Sequence, residues 1–294
     1  MARALGLEPG SIGVALLAFT PYMAFSAVIP LLVAAVLRVW IAAAVALLAA
    51  VVLLALVLPR AFGGPTDADG ATGPTVRILA ANMRLGHGDA ERLAELAAEL
   101  DVDLLSVEEL TPGLARRLAG AGLGGQLAHR VLTTGDGASG SGLYSRYRLG
   151  SYAAPGLPGG FDLVSVVPEI PGSAPVEVFS VHTSPPTTPS WSADLGALPP
   201  ADEGQIRVLA GDFNASLDHA AFRDVLDQGY ADAAQTLGAG LDPTWPVGRR
   251  VLPPFVTIDH VIADQRVGIR DYSVHDVDGS DHRAVFAELA LPAG

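Results

Sequence analysis

Eight polar residues sit at or beside the ends of apolar, strand-like runs, where a rigid scaffold can present them. Asn82 closes Val76–Asn82, Glu109 follows Leu104–Val107, His182 closes Val176–His182, and Asp212 and Asn214 follow Val208–Gly211. Asp259 lies within the apolar stretch Val256–Ile262, and Asp281 and His282 precede Ala284–Leu289. Singly, most have a structural reading. Asn82 and the GDFN run Gly211–Asn214 suit turns. Glu109 reads as a surface acid beside Glu108, His182 as a structural histidine, and Ser280–His282 as a cap or loop. Asp259 is harder to dismiss, because charges are rarely buried unpaired. Together they offer carboxylates, amides and two imidazoles but no thiolate, which suits a hard divalent cation such as magnesium. The histidines can move protons near neutral pH. The chemistry this set fits is hydrolysis of a phosphate ester. A metal and hydrogen-bond donors stabilise charge on the phosphoryl oxygens while an activated water attacks.

Alternating strand and helix signals position these residues. Further strands are expected at Asp103–Glu108, Gly142–Arg146, Phe161–Val167, Ile206–Asp212, Phe255–Ala263 and Ile269–His275. Asp89 is a good N-cap for a helix with Leu93, Leu96, Ala97 and Leu100 on one face, and Ala220–Asp227 reads as a short helix. Many strands with few helices suggest a sheet-rich α/β sandwich. The first 60 residues differ in kind. Ser11–Leu37 and Val39–Leu58 are apolar runs separated by Arg38. The second, at about 1.5 Å per residue, is long enough to cross a hydrocarbon core, and the first can do so with a kink at Pro21 or Pro30. Both exceed the apolar run of a signal peptide. We therefore expect residues 1–60 to be a membrane anchor, most simply a transmembrane hairpin held by a bilayer through residues 11–58. A linker follows at residues 61–74, and one domain occupies residues 75–294. With Arg38 at an inner turn, the protein is a multi-pass cell-membrane protein whose soluble domain is extracytoplasmic.

Composition narrows the chemistry. The chain has no cysteine, and all 18 of its basic residues are arginine. Disulfide scaffolds, thiol nucleophiles, phosphate-loop lysines and Schiff-base chemistry are thereby excluded. The formal charge of −13 is carried by the soluble domain, so tight nonspecific binding of duplex nucleic acid, which draws on Lys and Arg, is disfavoured.

Asn82 in AANMR, Glu109 in DLLSVEEL, His182 in VFSVHT, Asp212 and Asn214 in LAGDFNAS, Asp259 in TIDHVI and Asp281–His282 in GSDHRAV occur in a characteristic order. In that order the sequence resembles the endonuclease/exonuclease/phosphatase (DNase I-like) superfamily over Thr75–Leu291, and the apolar front resembles its membrane-anchored bacterial members. The resemblance implies a four-layer α/β sandwich, two packed mixed β-sheets flanked by helices. It also implies a magnesium- or manganese-dependent phosphodiesterase, phosphatase or nuclease acting on nucleic acid, a lipid headgroup or a small phosphoester. Glu109 would be the principal metal ligand, with Asn82 and Asp281 beside it. Asp212 and Asn214 would position the water and the phosphate. His282, oriented by Asp259, would be general base or transition-state stabiliser, and His182 general acid or phosphate donor. Three departures stand out: Glu108 replaces the family's glutamine, no acid in Ser139–Ser145 pairs with His182, and Arg146-Tyr147-Arg148 replaces Arg-Pro. A non-catalytic binding protein on the same fold is the competing reading, and no protein partner is evident. His260 reads as structural, His87 as a loop residue, and His129, His219 and His275 as surface residues. Trp245 and the loop Pro185–Pro200 are candidate borders of the site.

Overall fold

The computed structural model describes residues 3–8, 10–66, 68, 71–202, 204–248 and 253–294. The apolar front forms α1 (Gly10–Leu17), α2 (Thr20–Ser26), α3 (Val28–Val36) and α4 (Trp40–Val57). The rest runs β1 (Thr75–Asn82), α5 (Ala90–Glu99), β2 (Leu104–Glu108), α6 (Pro112–Gly120), α7 (Leu123–Gln126), β3 (His129–Thr133), β4 (Ser141–Ser145) and β5 (Leu149–Ala153). It continues β6 (Val164–Pro168), β7 (Val176–His182), α8 (Trp191–Gly196), β8 (Ile206–Asp212), α9 (Ala220–Leu226), β9 (Tyr230–Asp232) and α10 (Ala233–Thr236). The last three strands are β10 (Asp259–Asp264), β11 (Gly268–Asp276) and β12 (Arg283–Ala290).

Two six-stranded mixed sheets result, ordered β11-β12-β1-β2-β4-β3 and β5-β6-β7-β8-β10-β9. Alternate residues of the central strands point inward. Ile78, Ala80 and Leu104 of one sheet meet Val178, Val208 and Val261 of the other in a continuous apolar core. The opposite faces are covered by helices: Leu93, Leu96, Leu114 and Leu118 pack on the first sheet, and Leu195, Phe222 and Val225 on the second. This is the expected four-layer sandwich. Asp89 caps α5 as expected, its carboxylate accepting from the N–H groups of Glu91 and Arg92 at 2.9 and 3.1 Å. The expected strand at Phe255–Ala263 starts only at Asp259. Before it, Val256 forms a single bridge with Trp245, and the N–H of Ile258 donates to the Thr244 hydroxyl instead of to a neighbouring strand.

At the front, Trp40–Ala61 is one helix long and apolar enough to cross a membrane, and only 17% of its most apolar window is covered by the rest of the chain. The preceding stretch is not one rod. It bends by 62° between Gly10–Leu17 and Thr20–Val36, with Pro21 in the first turn after the break, as proline's lost N–H allows there. The front is also tied to the sandwich. Arg60 makes a buried bidentate pair with Asp218 (2.9 and 2.6 Å), and Arg3 Nε lies 2.5 Å from the same carboxylate. Losing one partner of such a buried pair costs about 3–5 kcal/mol. Asp67, Asp69 and Gly70 of the expected linker lie outside the described residues. Its described part is laid on the domain, with the N–H groups of Gly64 and Thr66 donating to the carbonyls of Thr236 and Ile269. Gly63 permits this approach, since a Cβ there would stand 2.1 Å from the Thr236 carbonyl oxygen.

Candidate active site

The parallel pairs β1–β2 and β7–β8 lie at the centre of the two sheets, and their C-terminal ends meet. Asn82 is in register with Glu108, and His182 with Asp212. On the neighbouring strand Asp259 stands directly opposite Asp212, so two buried carboxylates share one face. Like charges so placed repel, and His282 relieves them. Its Nδ1 lies 3.0 and 3.1 Å from the two Asp259 oxygens and its Nε2 3.8 Å from Asp212 Oδ2. Ligand atoms of Asp212, Asp259 and His282 all fall within 4.8 Å of one another, close enough to hold a metal ion.

Local hydrogen bonds fix these ends. The Ser280 hydroxyl donates to the Asn82 carbonyl at 2.6 Å and accepts from the His282 N–H at 3.0 Å, tying the SDH loop to β1. Thr244 accepts from the N–H groups of Ile258 and Asp259 at 3.1 and 3.2 Å, and its carbonyl receives the Arg283 N–H. The segment around Trp245 thus joins the IDH and SDH motifs, a bridge that no local pattern announces. In GDFN, Asn214 adopts φ 47° and its N–H donates to Asp212 Oδ1 at 2.8 Å. Glu109 adopts φ 56° directly after β2. Non-glycine residues in this left-handed region are uncommon and gather where a site over-determines the backbone.

Asn82 joins the halves: its amide nitrogen donates to Asp212 Oδ2 (3.0 Å) and Glu109 Oε1 (3.2 Å), while its oxygen accepts from the Arg84 N–H. Glu109 Oε2 accepts from the Leu85 N–H. His182 Nε2 lies 3.9 Å from Glu109 Oε1 and 3.8 Å from Asp212 Oδ2. Its Nδ1 is 3.1 Å from the Ala138 carbonyl, which can only accept, so that nitrogen carries the proton and Nε2 is bare. A backbone carbonyl therefore orients His182 where the sequence offers no acid. The structure brings Asn82, Glu109, His182, Asp212, Asn214, Asp259 and His282 together. Asp281 stays at the rim, its carboxylate 3.9 Å from Arg84 Nε.

Burial pushes the Asp212 carboxyl up to about 7, against the opposing pull of His282. Burial also disfavours charge on His282, but the Asp259 and Asp212 carboxylates outweigh it and raise the ring to about 10. Burial lowers His182 to about 4, more than Glu109 can restore. At neutral pH His282 is thus a charged donor between carboxylates, and His182 a neutral ring.

Glu108 does not stand beside the cluster as an extra charge. It is fully buried between the sheets, burial raises its carboxyl well above the usual range, and it contacts the hydroxyls of Ser106 and Ser180. Burial thus favours the uncharged acid at the position where the resemblance implies a glutamine. His260 is buried too, 2.8 Å from Asp232 and 2.9 Å from the Ala215 carbonyl. His219, expected at the surface, is buried. Its Nδ1 accepts from the Ser216 N–H, and its Nε2 donates to the carbonyl of Val14 in α1.

The donors fit a divalent metal. Glu109 gives hard carboxylate oxygens beside Asn82, Asp281 offers another at the rim, and there is no thiolate. The paired carboxylates of β8 and β10 also gain from a nearby cation. The cluster lies in a cavity of about 580 Å³ that Trp245, Pro185 and Pro186 also line, so both expected borders are at the site.

The sequence matches the family model described as Endonuclease/Exonuclease/phosphatase family over residues 79–282. No curated protein matches the chain. Solved structures share the fold. An endonuclease/exonuclease/phosphatase from Beutenbergia cavernae is 21% identical with TM-score 0.59, covering 74% of this chain and 72% of its own. A Neisseria 3′ phosphatase, NExo, bound to product DNA hairpin is 20% identical with TM-score 0.56, covering 72% and 98%. TDP2 from D. rerio, complexed with single-strand DNA product, is 17% identical with TM-score 0.60, covering 73% and 98%.

Proposed function

The chain belongs to the endonuclease/exonuclease/phosphatase family and is a hydrolase of phosphoester bonds, and from that premise we propose that it is a membrane-anchored, divalent-metal-dependent phosphodiesterase. The observation that carries this reading is the Asp212–His282–Asp259 cluster, with Glu109 and His182 each within 4 Å of it or of one another.

Each residue has a distinct part. Asp212 takes the proton of the attacking water, its carboxylate steadied by donors from Asn82 and Asn214. The new bond from water oxygen to phosphorus forms as the bond from phosphorus to the leaving oxygen breaks. His282, kept charged by Asp259, donates to a phosphoryl oxygen as negative charge builds there. His182 enters neutral, so it takes a proton from solvent before giving one to the leaving oxygen, while Asp212 later returns the water's proton to solvent. The charge of a bound phosphate favours that uptake. Glu109, with Asn82 beside it and Asp281 at the rim, is the proposed seat of a magnesium or manganese ion, which when bound would offset charge on the phosphoryl oxygens. The ring–carboxylate contact of His282 and Asp259 favours proton handling for that pair over metal ligation.

In this reading the apolar front lies in the bilayer as a two-armed anchor. Arg38 marks its inner turn and the domain faces outward. Protease added to intact cells should then cut in residues 62–74; protection until lysis would put the domain inside. The activity itself is tested with the purified full chain on plasmid DNA, sphingomyelin and bis(p-nitrophenyl) phosphate. Turnover with magnesium that stops on chelation is expected. Turnover that survives chelation, or none on any phosphoester, would overturn it.

A further inference from the structure

The cavity at the cluster is not built from the sandwich alone. One wall is the apolar front itself: Ala15 of α1 and Ala18 and Phe19 of the break before α2 line it, facing Trp245 and Phe255. The 62° bend falls at this point. Phe19 stacks on Phe255 with ring centroids 5.4 Å apart, and the Tyr22 hydroxyl donates to the Phe255 carbonyl at 2.9 Å. The front is fixed to the domain by the His219–Val14 hydrogen bond, 2.9 Å, and by the Arg60–Asp218 pair. The pocket therefore has a charged floor, where Asp212 and His282 lie, and an apolar side that continues into the segment read as membrane anchor.

Resting on that reading of the anchor and the site, we propose that the substrate is a membrane amphiphile. Its phosphoester sits on the Asp212–His282 floor and its hydrocarbon tail lies along Ala15, Ala18 and Phe19. A volume of about 580 Å³ lies in the range of small-ligand sites, enough for a headgroup and the first part of a chain. The chemistry of the wall selects a tail over a polynucleotide. It presents alkyl and aromatic carbon rather than the Lys or Arg side chains that grip nucleic-acid phosphates, and the chain carries a formal charge of −13. The continuity of the wall with the anchor selects bilayer lipid as the source of that tail. Tyr22 and Trp245 are of the aromatic types that suit the level of lipid headgroups.

The test uses the full chain in dodecyl maltoside with magnesium and two probes, methyl and octyl p-nitrophenyl phosphate. These share the phosphate and the chromogenic leaving group and differ in tail. Partitioning into micelles is common to every variant, so the octyl-to-methyl ratio of kcat/KM is compared between variants. Wild type should prefer the octyl ester by about tenfold or more, since each buried methylene is worth severalfold. Ala18→Trp, which fills the wall, should cut that preference at least severalfold. Phe19→Ala, which removes the stacked ring, should cut it as well and decides the matter where Ala18→Trp does not fold. Equal rates on both esters in wild type, or a preference untouched by the folded variants, would overturn the proposal while leaving the phosphodiesterase reading intact. Absence of turnover on both esters would overturn that reading and this inference with it.

Discussion

Asp212→Asn should lower kcat/KM on a phosphodiester by about 10²–10⁴ at pH 8, the range for loss of a positioned proton acceptor. The same change should leave the fold intact. Asp212 is almost fully buried opposite Asp259, so replacing it with the isosteric amide removes a buried like-charge repulsion. It also turns an NH2 toward the Asn82 or Asn214 donor, so the melting temperature should stay within a few degrees of wild type. A variant of near-normal activity would sink the assignment of Asp212 as proton acceptor. A variant that unfolds would show instead that the carboxylate holds Asn82 and Asn214 in place. The pH profile separates the role further. Wild-type activity should climb through the Asp212 titration, which burial pushes up to about 7, and the variant should lack that limb.

The second large effect is at His282. His282→Ala should cost about 10²–10³ in kcat, the usual loss for one donor aimed at developing negative charge. The sign of the pH dependence follows from the direction of the shift. The folded protein holds the charged ring up to about 10, above the ordinary value near 6.5. The donor is therefore present at neutral pH and is lost as pH rises through the raised value. On a p-nitrophenyl ester, whose leaving group departs without a proton from His182, activity should peak on the alkaline side of neutrality, between the Asp212 and His282 limbs, which as a coupled pair report macroscopic values. Asp259→Asn removes the nearer carboxylate, 3.0 Å from Nδ1. The alkaline limb should then move toward neutrality and activity should fall, while methyl-ester KM changes less than kcat. An alkaline limb that stays put in Asp259→Asn would contradict the role given to that pair.

Much of this was legible in the sequence for a physical reason. The central strands are continuous apolar runs ended by a polar residue, so Val176–His182 and Ile206–Asp212 are found with the boundaries read from sequence. Site residues at such ends inherit that clarity. The edge strands β3, β5 and β9 carry no such run. Their residues are partly exposed or few, and pairing rather than pattern makes them strands. The partner of His182 was not readable because it is the backbone carbonyl of Ala138, which has no side-chain signature. The upward shift of the Glu108 carboxyl follows from burial between two sheets, which a single strand does not disclose. His219 looked like a surface residue because its partner, Val14, lies 205 positions away. For the same reason the contribution of Ala15, Ala18 and Phe19 to the pocket had no local signal. It arises from a long-range contact between the apolar front and the domain.

Hydrolysis in ¹⁸O-labelled water tests the central claim most directly. The full chain is incubated with bis(p-nitrophenyl) phosphate and magnesium, and the phosphate product is read by ³¹P NMR. One labelled oxygen on phosphorus, with product absent when magnesium is chelated, is the predicted result. Label in the p-nitrophenol, or equal product without a divalent cation, would contradict metal-dependent attack of water on phosphorus.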